Sequence, residues 1–107
     1  MLYKFKSKAG ADVIMLGPQG DQLLRLLGRP PSARGILENN ALADAIAALE
    51  RAVADDEAAF AQRQAEAAAA GEPVPRRAGI TLRMRVWPVV ELMRRALPAE
   101  ADLVWGV

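Results

Sequence analysis

Nine cations near the two ends of this chain are the residues best placed to do chemistry together. Lys4, Lys6 and Lys8 recur every second residue, so a β-strand would set them on one face. Arg76, Arg77, Arg83, Arg85, Arg94 and Arg95 crowd the C-terminal third. Amine and guanidinium groups gathered on one surface neutralise phosphates, which makes Lys4, Lys6, Lys8, Arg83 and Arg85 a candidate contact patch and nucleic acid a candidate ligand. Two facts weigh against that ligand. The chain has one tyrosine and few aromatics to stack on bases, and its pI is near 8.2. The plainer expectation is that the lysines guard a solvated edge strand while the arginines pair with an acidic helix.

Other reactive groups are scarce. Histidine and cysteine are absent, and serine, threonine and tyrosine together number four: Ser7, Ser32, Thr81 and Tyr3. Few parts are present for a nucleophile beside a base, and none for a thiolate or imidazole metal site; a hydrolase or lyase using Glu91 and arginines is the least expected reading. Asp55, Asp56 and Glu57 are consecutive, and consecutive helical residues point about 100° apart, so they suit a solvated face better than one shared ion. Glu91 with Arg94 and Arg95 has the spacing of a helical surface pair. Gly17-Pro-Gln-Gly20 lacks the lysine of a phosphate loop and is expected to be a turn. No catalytic residue, metal or cofactor is expected, and the chain is not expected to be an enzyme.

A length of 107 residues suits one domain spanning 1–107. The hydrophobic share of 52% supports a packed core, although much of it is alanine. Lack of cysteine fits a reducing compartment. No apolar run follows the basic N-terminus and none approaches a membrane span, so a cytoplasmic protein without membrane contact is expected. Charge is segregated: residues 1–35 carry net +4, residues 36–75 net −6 and residues 76–107 net +3. The ends should fold onto the middle, or copies should associate head to tail.

The elements that must position these groups follow from period and punctuation. Leu2 to Ser7 alternates, with Tyr3 and Phe5 on the buried face and Lys4 and Lys6 outside. Gly10 marks a turn into a second strand over residues 12–17, giving an antiparallel hairpin. Gly17–Pro18 opens a short helix that Gly28 closes. Pro30, Pro31, Ser32 and Gly35 read as a loop. Asn39 or Asn40 can cap a long helix whose seam is Leu42, Ile46, Leu49, Val53 and Phe60, interrupted by Asp56. Its alanine-rich end, about 46 Å from the start if helical over 40–70, should project from so small a domain. Residues 80–97 fit either a strand ending at Pro88 or a helix capped by Thr81; the apolar stripe runs through both halves and favours the helix. A strand over residues 102–107 is expected to meet the N-terminal hairpin, and Trp87 and Trp105 to be core residues.

The opening Met1-Leu-Tyr-Lys-Phe-Lys-Ser-Lys, the Asp12-Val-Ile-Met-Leu strand, the segment from Leu82 through Trp87-Pro88 to Arg95, and the closing Val104-Trp-Gly-Val together resemble the DUF1840 family, short bacterial proteins of unknown function. That resemblance implies a complete, bacterial, cytoplasmic protein without a known catalytic residue, with residues 55–71 as its variable part. The expected fold is α+β, a small antiparallel sheet of residues 2–8, 12–17 and 102–107 covered on one face by helices. The expected function is a non-enzymatic module that self-associates as a homodimer or docks on a protein partner. Nucleic-acid binding through the basic patch is the alternative.

Overall fold

Alternation of Tyr3 and Phe5 with Lys4 and Lys6 decides which way the first strand faces, and the rest of the fold is built on that choice. A computed structural model describes residues 2–107. Strand β1 (Leu2–Ser7) pairs antiparallel with β2 (Gly10–Leu16), Tyr3 opposite Met15 and Phe5 opposite Val13. The turn is Lys8–Ala9, and Gly10 opens β2 opposite Ser7, where an added Cβ would sit 3.0 Å from Leu92. Helix α1 (Gly17–Leu26) follows at once with Pro18 in its first turn, and Gly28 closes it at φ 78°.

The expected loop contains a strand. Residues Gly35–Leu37 form β3, and Leu103–Trp105 form β4. β4 lies between β1 and β3, so the sheet order is β2-β1-β4-β3, antiparallel throughout. The two ends of the chain therefore meet at the centre of the sheet, Phe5 beside Trp105. β3 is too short to show a period, and a Pro/Gly-rich segment hides it. Gly35 is required there, since an added Cβ would sit 2.2 Å from the Trp105 ring.

Helix α2 (Leu42–Ala69) is about 42 Å long at 1.5 Å per residue and accounts for most of the 51 Å length of the molecule. Only Leu42, Ala45, Leu49 and Val53 of it are buried, so its inner half packs on α1 and α3 while its outer half projects. Helix α3 (Leu82–Ala96) is the helical reading of residues 80–97, with Thr81 Oγ1 accepting from the Met84 amide at 3.2 Å. Pro88 lies inside it. The carbonyl that loses its partner belongs to Met84, on a solvent-exposed stretch where water can satisfy it.

One expected cap is corrected. Neither Asn39 nor Asn40 caps α2; a short 3-10 turn, Asn39–Ala41, precedes it and Ala41 occupies the cap position. The Asn39 side-chain amide instead donates to the carbonyls of Ala96, Leu97 and Ala101 at 3.0–3.3 Å. The Asn39 backbone N–H donates to Asp102 at 2.8 Å. Asparagine thus adds a second donor to the Ala96 and Leu97 carbonyls, which already accept from the Ala101 and Glu100 amides, and ties the loop at Ala101 to them. All three helices lie on one side of the sheet, and the core they close contains Tyr3, Phe5, Leu103 and Trp105.

Candidate functional site

Three of the six arginines between residues 76 and 95 pair with carboxylates of the same chain. Arg77 reaches Asp56 and Arg83 reaches Glu57, each at 2.8 Å, and Arg94 joins Glu50 at 2.8 Å and Glu91 at 2.9 Å. The Arg83 hydrogen bond holds the Glu57 carboxyl below its usual range, and the guanidinium is raised in return. Arg83 and Arg94 also stack on Trp87, at 5.1 and 4.8 Å from the ring centre, so this tryptophan packs half-buried against the core with two cations on its ring. Arg77 lies 4.4 Å over the Phe60 ring and covers the end of the α2 seam. Asp56 interrupts the seam because it meets an arginine of its own chain. The segregated charges along the sequence are used by folding the C-terminal segment against α2.

The lysines lie elsewhere. Lys4 and Lys6 stand on the sheet face opposite the helices, Lys8 sits in the adjoining turn, and Arg85 turns toward α1 to meet Gln22 at 3.3 Å. The fold therefore does not gather Lys4, Lys6, Lys8, Arg83 and Arg85 into one patch. Nor do the lysines guard an edge, since β1 is an inner strand.

The open sheet face has a character that alternation in β1 alone does not reveal. Register places Leu2 beside Leu16, Lys4 beside Ile14, and Lys6, Val104 and Ile36 in a row across β1, β4 and β3. Leu2, Ile14 and Leu16 are 62%, 61% and 57% exposed, and Ile36 is exposed as well. The sheet is thus aliphatic on both faces at its β2 end, with lysines set into the outer one. A signal was present: Val13-Ile-Met-Leu is apolar without interruption, and a strand apolar on both faces needs cover on both. The sheet's aromatic residues, Tyr3, Phe5 and Trp105, all face the helices.

Three open clefts indent the surface. One of about 440 Å³ is ringed by Lys6, Lys8, Asp12, Glu100 and Asp102, where charges of both signs alternate. Another, along α2, is lined by Asp44, Arg51 and Asp55. The third runs between residues 13–16 of β2 and the start of α3. Among the described residues the buried side chains with polar atoms are Tyr3 and Trp105, and no group of three or more carboxylates is placed to hold a metal. No described helix is long and apolar enough to cross a membrane. The phenol of Tyr3 donates to Asp21, which raises its pKa, with burial adding to the shift.

The architecture is that of an open-faced α+β layer, one side of the sheet closed by helices and the other free. The family described as Domain of unknown function (DUF1840) matches residues 1–105, and the chain belongs to that family. No curated protein and no solved structure matches it.

Proposed function

We propose that this protein is a non-enzymatic interaction module that docks on another protein chain, a second copy included, through the open face of its sheet. The observation that carries this reading is the exposure of Leu2, Ile14, Leu16 and Ile36 on one continuous face. Exposed aliphatic side chains on one face, here with Lys4 and Lys6 set among them, are characteristic of contact surfaces. Self-association through α2 has less support, because Leu42, Leu49 and Val53 are buried within the chain. A homodimer would use the sheet. Cytoplasmic action fits the cysteine-free composition.

Nucleic acid fits the same face less well. Single-stranded bases are held by stacking on aromatic platforms, and this face offers aliphatic side chains and lysines. Paired measurements separate the readings: light scattering of the pure protein, and affinity purification from the native host, each with wild type and a Leu2→Glu/Ile36→Glu double variant. The expected result is a dimer or a co-purifying protein that persists in 0.5 M salt and is lost with the double variant. A monomer whose co-purifying species are unchanged by the variant, or are nucleic acids released by salt, would overturn the proposal.

A further inference from the structure

β2 is an edge strand, and an unusually unprotected one. It runs seven residues, ends in four apolar ones, and contains neither lysine nor proline. Such devices ordinarily blunt an edge. The other edge, β3, has three residues. Among the described residues β2 pairs with no strand but β1, and no turn or loop backbone hydrogen bond reaches its outer edge.

Beside this edge runs α3, antiparallel to it. Leu92 touches the Gly10 end, while Met84 and Pro88 lie near the Leu16 end. Near the Leu16 end an open groove lies between them, lined by residues 13–16 of β2 with Ile80, Met84 and Pro88. Ile80 and Met84 are 66% and 62% exposed there. Arg85 is the one charged residue lining the groove, and among the described residues it has no carboxylate partner, only Gln22.

Three demands are therefore unmet in one place: backbone pairing, apolar cover and a counter-charge. We propose that the groove between β2 and α3 binds a short extended peptide segment that adds as a fifth strand, sets an apolar side chain on Ile80 and Met84, and brings a carboxylate to Arg85. Length limits the segment to about four residues, because α3 closes on β2 at the Gly10 end. A second copy pairing antiparallel through its own β2 brings both α3 helices onto one face of the joined sheet and does not fit. Cα atoms of α3 approach β2 to within 8 Å. Edge-to-edge pairing would place the two β2 strands about 4.8 Å apart, while the helices beside them need about 8–10 Å between axes. An extended segment carrying no helix of its own avoids that clash, as in other cases of strand addition.

The site is separate from the open sheet face at Leu2 and Ile36, so the two can fail independently. The test is selection of a random seven-residue peptide library displayed on phage against the full chain, with synthesis of the enriched peptides. Expected are sequences of alternating apolar residues with one carboxylate. They should shift the amide resonances of residues 13–16 and 80–88, and slow exchange of the outer β2 amides. Met84→Glu, at an exposed position, and Arg85→Gln should each weaken binding at least about tenfold. Alternate-amide N-methylation of the peptide should do the same, and Ile36→Glu should leave binding unchanged. Peptides with an internal glutamate and peptides with a free C-terminus distinguish the two sources of the carboxylate. Octanoate, which has a carboxylate and an apolar chain but no backbone amides, should bind at least tenfold more weakly than the peptide. No enrichment, binding indifferent to N-methylation or to Met84→Glu, resonance shifts elsewhere, or octanoate binding as well as peptide would overturn the proposal.

Discussion

Among the described residues Asn39 makes the most long-range side-chain hydrogen bonds. Its amide joins three carbonyls at the end of α3, and its N–H meets Asp102. Asn39→Ala should cost about 1–3 kcal/mol by chemical denaturation, and Asn39→Asp more, because a carboxylate would repel those carbonyls. A smaller loss for aspartate than for alanine would contradict this geometry. Tyr3 gives a pH test. Its phenol donates to Asp21, so the folded state keeps the proton longer than the unfolded chain. That contribution is complete below the ordinary phenol value of about 10 and fades as pH rises through the raised folded value. The stability gap between wild type and Tyr3→Phe should be level from about pH 7 to 9 and narrow above about 10. A gap that widens there would reverse the sign. Neither residue's role was legible in the sequence: asparagine before a helical stripe looks like a cap for the helix that follows. Its true partners lie 57–63 residues away. Tyr3 was legible as buried, by alternation, but not as bonded to Asp21.

Elements were legible where a period runs long enough. The hairpin, the short helix, the long helix and the terminal strand all follow from spacing and punctuation, and the helical stripe rightly outweighed Pro88 in residues 80–97. β3 escaped because three residues cannot display a period. The outer half of α2 follows from composition: beyond Val53 it has no buried residue, and Phe60 is covered by arginines rather than by core. Residues 72–80 lie close by, with the Pro75 carbonyl accepting from Gln64 and Arg77 reaching Asp56, yet every residue of that segment is exposed. Such contacts contribute little to stability. Amides of residues 60–69 should therefore exchange fastest among the helical ones, by hydrogen exchange resolved to single residues. Protection there equal to that of residues 45–53 would mean that the outer half is packed against something else.

At the scale of the molecule, the charge pattern along the sequence predicts that basic and acidic segments meet, and they do so within one chain through Asp56, Glu57 and Glu50. These pairs use three of the C-terminal arginines within the chain, and the anticipated basic patch is divided, with Lys4 and Lys6 on the open face. The patch was misread because strand spacing fixes which residues share a face, while distance between separate elements depends on topology. The open aliphatic face could have been noticed from the unbroken apolar run in β2, but only pairing with Leu2 and the row through Val104 to Ile36 makes it a surface. The most direct test of that surface is a photo-crosslinking amino acid placed at Ile36, irradiated in living cells of the native host, with a second probe at exposed Ala65 on outer α2 for comparison. The account predicts a discrete protein adduct from Ile36, of doubled mass if the partner is another copy, and none from Ala65. An adduct from Ala65 alone, or nucleic acid crosslinked at Ile36, would contradict it.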